Sequence, residues 1–139
     1  MCVEKGALLR HADAVIQEQE GFAMPLMRVE TTVDVPQKKR GSLVAQLSQI
    51  LAKVTRKPEQ YCMVILVQGA AGTMAGREMA VAYVDVRGIG GFTPEVNAEL
   101  SRQVAGCLCK ELGLQEEGVY LTFTDVPGTN WGWKGRTFA

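Results

Sequence analysis

Histidine is almost absent from this chain, and the one that occurs, His11, lies ahead of the stretch Met24-Pro25. No Ser–His–Asp or Cys–His nucleophile and no histidine metal cluster can therefore be assembled from residues 24–139. Net charge is also missing, because 15 basic residues balance 15 acidic ones. Without an excess of either sign there is no long-range field to hold a nucleic acid or a membrane surface, so a ligand must be recognised locally. No apolar run approaches the roughly 20 residues that cross a bilayer. Paired cysteine spacing is lacking too. Cys2, Cys62, Cys107 and Cys109 match neither a zinc site nor a redox motif. On a helix Cys107 and Cys109 point to nearly opposite sides, so one metal cannot be gripped by both. Their expected state is reduced core thiol, and no metal or cofactor is called for.

What is present fits one domain, since 139 residues with 47% apolar content can close a single core. The sequence divides at Met24. Residues 1–23 carry Leu8, Ala12, Val15 and Ile16 at helical spacing among charged residues and read as a short amphipathic extension. They lack the apolar centre of a secretory leader, and their acidic residues argue against an organellar transit peptide, which leaves a cytoplasmic location as the expectation. Residues 24–139 read as a complete domain.

Met27, Val29, Thr31 and Val33 alternate as a strand with one buried face. After Pro36 the segment Gln37-Lys38-Lys39-Arg40-Gly41 reads as a basic, solvated linker, and Ser42 as the cap of a helix. Leu43, Val44, Leu47, Ile50, Leu51 and Val54 form that helix's stripe, and Lys57-Pro58 stops it. Tyr61 to Val67 is a continuous β-rich apolar run, expected to be a central strand buried on both faces. A small-residue loop over 69–76 precedes a strand over Ala80–Val86. Thr93-Pro94 opens a second helix through Val96, Leu100, Val104, Leu108 and Leu112 to Gly113, and Val119 to Thr124 is the next strand. The order β-α-β, β-α-β predicts an α+β fold. It has a four-stranded mixed sheet with two helices on one face and split, ferredoxin-like connections. The other face would be bare, which predicts a homo-oligomer, with the aromatic tail free to wrap onto a neighbour.

Three places invite chemistry. Gly88-Ile89-Gly90-Gly91 sits where phosphate cradles sit, yet it fits neither phosphate-loop pattern, and Thr93-Pro94 removes one amide; a turn for tight strand-to-helix packing is the stronger reading. Lys57, taken alone, is a cation at a helix C-terminus. Pro25, taken as an internal residue, merely fixes φ before a strand, but as a chain terminus it would present a free secondary amine.

Taken together, Met24-Pro25, Thr55-Arg56-Lys57-Pro58-Glu59-Gln60-Tyr61, Gly88-Ile89-Gly90, Val119-Tyr120, Asn130-Trp131-Gly132-Trp133 and the ending Thr137-Phe138-Ala139 resemble the macrophage migration inhibitory factor and D-dopachrome tautomerase family. The resemblance covers essentially all of 24–139. It implies a homotrimeric tautomerase barrel with active sites at subunit boundaries, and cofactor-free keto–enol tautomerisation of aromatic 2-oxo acids or dopachrome-like substrates. It also implies cytokine-like action on a cell-surface receptor after export without a leader. Pro25 would be the general base and Lys57 the partner of the substrate carboxylate, oriented by the Ile89 amide. Leu26, Tyr61, Trp131, Trp133 and Phe138 would wall the pocket, with Tyr120 and Thr122 closing it from an adjacent subunit. The family's Cys-x-x-Cys is Val81-Ala82-Tyr83-Val84 in this chain, which implies no thiol oxidoreductase activity, and its pocket asparagine is Thr122. With residues 1–24 attached Pro25 is acylated, so a non-catalytic trimeric interaction protein is the alternative expectation.

Overall fold

The computed structural model describes residues 24–139. The extension 1–23, with its expected helix, Cys2 and His11, lies outside them. Strand β1 (Leu26–Thr31) alternates as its sequence predicts, with Met27, Val29 and Thr31 buried while Arg28 stays exposed. The chain then enters helix α1 (Gln37–Thr55), strand β2 (Met63–Val67), a small hairpin of β3 (Thr73–Met74) and β4 (Arg77–Glu78), and strand β5 (Ala82–Gly88). Helix α2 (Pro94–Leu112), strand β6 (Val119–Asp125) and a terminal hairpin of β7 (Gly132–Trp133) and β8 (Arg136–Thr137) complete it.

The main sheet runs β2-β1-β5-β6, with β1 parallel to β2, β5 parallel to β6, and β1 antiparallel to β5. Each parallel pair is joined by a helix, and its two strands are direct neighbours; the connections are therefore not split as expected, and the two β-α-β repeats meet back to back along β1 and β5. Spacing by four puts Leu43, Leu47 and Leu51 on one line of α1, and Leu100, Val104 and Leu108 on one line of α2. All six are at most 1% exposed and pack on Met27, Val29, Val84 and Val86. Among the described residues the buried cluster between sheet and helices runs from Met27 to Val119.

Two further expectations need correction. The basic segment 37–41 is not a linker but the first turn of α1. Pro36 at φ −55° precedes it, the Pro36 carbonyl accepts from the Lys39 amide at 2.8 Å, and Ser42 caps nothing. Lys39 Nζ reaches the Glu111 carbonyl at 2.8 Å and Arg40 Nε the Val35 carbonyl at 2.8 Å, so the cations tie this turn to its surroundings. The turn is exposed and carries no apolar residue, so the stripe that marks a helix begins only at Leu43. The second correction concerns β2, which is an edge strand. Met63, Ile65 and Val67 are 58%, 43% and 36% exposed, because they point away from both helices. Tyr83 and Tyr120 share that outer face. Smaller differences are a two-residue Ala75-Gly76 turn inside the small-residue loop, and a β5 that starts at Ala82. The boundaries of α2 are as its sequence predicts: Thr93 Oγ1 accepts from the Val96 amide at 3.2 Å, and Gly113 ends the helix in the left-handed region.

The tail folds back on its own chain. The Phe138 amide donates to the Gly128 carbonyl at 3.0 Å, and a methyl group placed on Gly128 would stand 2.6 Å from the Phe138 oxygen. Substituting Gly128→Ala is therefore expected to cost about 1–3 kcal/mol through overpacking. A fall in Tm together with a red shift of tryptophan emission would register it, whereas an unchanged Tm would mean the tail is seated elsewhere.

Candidate active site

Pro25 is buried at the entrance of β1, its carbonyl accepting from the Met63 amide at 3.0 Å. The register fixes what surrounds it. Leu26 lies beside Met63 of β2 on one side and Arg87 of β5 on the other. A cavity of about 490 Å³ opens there, floored by Pro25, Leu26 and Met63 and walled by Tyr61, Trp131 and Trp133. Tyr61 meets Trp133 edge-on at 5.8 Å between ring centroids, and Phe138 stacks behind Trp133 at 5.9 Å. The terminal hairpin makes this wall possible by reversing at Lys134-Gly135, both at positive φ. Lys134 Nζ lies 4.3 Å from the Trp133 ring centroid, a cation–π contact that steadies the outer side of the indole.

Met24 belongs to the same cavity. It is only 4% exposed and its backbone sits at φ 59°, a conformation that a residue with a β-carbon adopts at some cost. While the Met24–Pro25 bond is intact, the Pro25 nitrogen is a tertiary amide without basicity.

Lys57 is placed differently from the expectation. Helix α1 ends at Arg56, which takes the left-handed cap conformation at φ 57°, and this turns Lys57 inward to 6% exposure. Its Nζ donates to the Gly90 carbonyl at 2.9 Å and the Ile89 carbonyl at 3.3 Å, and it does not line the cavity. Gly91, at φ +86°, is what allows this approach, since a β-carbon there would stand 3.2 Å from Nζ. The same loop is fastened on its far side, where Asp125 Oδ1 accepts from the Gly90 amide at 2.7 Å. The start of this loop also meets Pro25: a β-carbon at Gly88 would stand 3.6 Å from the Pro25 α-carbon.

Burial lowers the Lys57 pKa to about 8, against the opposing pull of Asp125 and then Cys62. The same burial raises the Cys62 thiol to about 11, so this cavity cysteine stays protonated and is no nucleophile at neutral pH. Between pH 8 and 10.5 the unfolded chain holds the Lys57 proton and the folded chain releases it, so folding stability contributed by this group rises with pH across that window. Below pH 8 the full cost of burying the ammonium is present. Urea titrations of wild type and Lys57→Met should show the difference moving toward wild type by on the order of 1 kcal/mol from pH 8 to 10, after discounting for solvent screening. A difference that stays flat with pH would show that Lys57 is not desolvated.

Of the expected site residues, Pro25, Leu26, Tyr61, Trp131 and Trp133 come together, with Phe138 behind them. Ile89, whose carbonyl accepts from Lys57 Nζ, is not among the residues lining the cavity. Tyr120 and Thr122 are on β6, and Tyr120 is paired with Tyr83, four positions along β5 from Arg87. The Tyr83 and Thr122 hydroxyls are 2.6 Å apart on the outer face. Within one chain these two residues do not reach the cavity. Sequence reasoning gave no site role to Met24, Gln60, Cys62, Met63, Arg87, Val126 or Asn130, all of which line it. The signal that could have found Arg87 is its place opposite Leu26 once β1 and β5 are paired.

Tandem β-α-β repeats with a proline at the head of the first strand, inside an aromatic-walled cavity, define a class of small α+β proteins whose site forms at the end of the sheet. The family model for macrophage migration inhibitory factor matches residues 24–139. The chain belongs to the macrophage migration inhibitory factor family. It is 33% identical to the macrophage migration inhibitory factor of Rattus norvegicus over 116 residues, 84% of this chain and 100% of the relative. The solved homologue from Prochlorococcus marinus is similar with a TM-score of 0.79 and 34% identity, covering 82% of this chain and 99% of its own. A like protein from Entamoeba histolytica gives a TM-score of 0.79 at 26% identity, over 82% of this chain and 98% of that one. Residues 24–139 thus correspond to essentially the whole length of such relatives.

Proposed function

We propose that the chain, once it begins at Pro25, is a keto–enol tautomerase of aromatic 2-oxo acids and dopachrome-like compounds. The observation that carries this reading is the position of Pro25, buried at the floor of a cavity whose walls are the rings of Tyr61, Trp131 and Trp133. A free imino group there loses water, and loss of water disfavours its protonated form, so that it is available as a base near neutral pH. The Lys57 ammonium behind the loop acts in the same direction by repelling a second positive charge. The aromatic walls hold the ring of the substrate with the carbon next to its carbonyl over the nitrogen. Pro25 takes a proton from that carbon, the C–H electron pair forms the new carbon–carbon double bond as the carbonyl π pair moves onto oxygen, and the oxygen takes the proton from the Pro25 ammonium, which gives the enol and restores the free base. No cofactor is required for these steps.

The outer face fits the same reading. Met63, Ile65 and Val67 on β2, with Tyr83 and Tyr120 farther across the sheet, leave five large apolar side chains exposed on a face they share with Arg28, Glu30 and Asp85. Closing it in a homotrimer brings Tyr120 and Thr122 of one copy toward the cavity of the next, completing a site that one chain leaves open. The test is phenylpyruvate enolisation, followed as the enol–borate complex, by protein beginning at Pro25. Turnover that disappears in Pro25→Gly supports the reading, and a Pro25-first protein with no turnover rejects it. The burial of Met24 in the cavity favours a second reading for the uncut chain, that of a non-catalytic, cytokine-like binding protein.

A further inference from the structure

We propose that Asp125 is a positioning residue of the site: it grips the peptide group between Ile89 and Gly90, and that group in turn holds Lys57 ready for the carboxylate of the substrate. This rests on the tautomerase reading for the task of Lys57, and goes beyond it in naming what fixes Lys57 in place.

A single peptide group carries the contact. The Ile89–Gly90 peptide is trans, so its carbonyl and its N–H point in opposite directions. On one side the Ile89 carbonyl accepts from Lys57 Nζ at 3.3 Å, and on the other the Gly90 N–H donates to Asp125 Oδ1 at 2.7 Å. An ammonium, an aligned peptide dipole and a carboxylate thus stand in series, an order in which each hydrogen bond polarises the next. The preceding peptide is pinned from the same strand end, where the Gly88 carbonyl accepts from the Val126 amide at 2.7 Å. Gly88 and Asp125 are partners in the parallel register of β5 and β6, so the sheet itself places this carboxylate beside the loop.

Lys57 Nζ also donates to the Gly90 carbonyl at 2.9 Å. An ammonium has three N–H donors, so one remains for a ligand. Around Nζ stand Asp125 from the end of β6, Cys62 from the residue before β2, and the Phe92 ring at 5.8 Å from the loop before α2. Burial keeps the Cys62 thiol protonated, which leaves Asp125 as the charged group among them. The Pro25 nitrogen, once free, is a further titratable group at this end of the sheet and is common to all the variants compared below. Burial pushes the Lys57 pKa down to about 8 and Asp125 pulls hardest against it, so loss of this carboxylate should release the Lys57 proton at lower pH.

Asp125→Asn keeps an oxygen for the Gly90 N–H and removes the charge, whereas Asp125→Ala removes both. In protein beginning at Pro25 and isotope-labelled at the lysine ε-carbons, NMR follows the Lys57 ammonium, identified by its absence in Lys57→Met. Its titration midpoint should move to lower pH by about half a pH unit in Asp125→Asn, a small movement because Asp125 is exposed and solvent screens the pair. Emission of the two tryptophans, both on the cavity wall, reads the binding of 3-phenylpropanoate, which has the carboxylate but no ketone. Relative to wild type, Asp125→Asn should lose about two- to threefold more affinity at about pH 8.5 than at about pH 6.5, following the charged fraction of Lys57. Asp125→Ala should lose about tenfold at either pH.

The proposal is overturned if the Lys57 midpoint stays in place in Asp125→Asn, if Asp125→Ala or Lys57→Met binds the acid as tightly as wild type, or if wild type does not bind it. A purely structural role for Asp125 would lower the Tm of both variants and leave that midpoint unmoved. Should far-UV circular dichroism show Asp125→Ala unfolded, the midpoint and the pH-dependent loss in Asp125→Asn decide. None of these readings needs turnover. A moved midpoint and an Asp125-dependent acid site in a protein that does not enolise phenylpyruvate would keep Asp125 as the residue that positions Lys57 and reject the tautomerase reading.

Discussion

Enolisation of phenylpyruvate is expected to rise by at least about a hundredfold when the bond between Met24 and Pro25 is cut, the usual scale for gaining a positioned general base. Two separate obstacles are removed together. One is chemical, because the acylated nitrogen has no lone pair to offer. The other is spatial, because Met24 is 4% exposed and forms part of the cavity lining. Met24→Ala in the uncut chain separates them: it clears the side chain, keeps the amide, and should remain as slow as wild type. In the cut protein Pro25→Gly retains an amine at the chain start but loses the ring that fixes it, and should fall by about a hundredfold or more. Equal turnover by the 1–139 chain and the cut chain, each verified by intact mass, would remove the Pro25 nitrogen from the mechanism.

In protein beginning at Pro25, Ile65→Lys should convert a species of about three chain masses into one of a single chain mass by light scattering, with enolisation falling at least about tenfold. Ile65 is 43% exposed on β2 and contributes nothing to the core between sheet and helices, so the isolated chain should keep its secondary structure. The loss would come from placing a charge on the apolar face and from withdrawing the neighbour's Tyr120. Thermal stability should fall and become dependent on protein concentration, since association is linked to folding. If the variant kept both its mass and its activity, the outer face of β2 would not be the surface that associates.

Much of the fold was legible because its signals are local. The four-residue spacing of Leu43, Leu47 and Leu51, the Thr93-Pro94 opening and the Gly113 stop each carry their meaning within one or two turns. The position of β2 was not legible, since an apolar run reads the same whether a helix or another copy of the chain covers its second face. The first turn of α1 was hidden because only its exposed side chains speak there. Pro25, Tyr61 and the indoles were found through motifs. Lys57 and Arg87 could not be sorted that way. Whether a cation faces the cavity depends on the left-handed turn at Arg56 and on the pairing of β5 with β1, and neither is written beside the residue it decides.

The sheet ends at β2 on one side and β6 on the other, two unlike seams each with an open rail of amides and carbonyls. Copies that join seam to unlike seam do not cap one another as a symmetric pair would; growth stops only if the rotation at each junction brings the last copy round to the first. A change that preserved the seams but altered that rotation by a few degrees would yield fibres instead of rings.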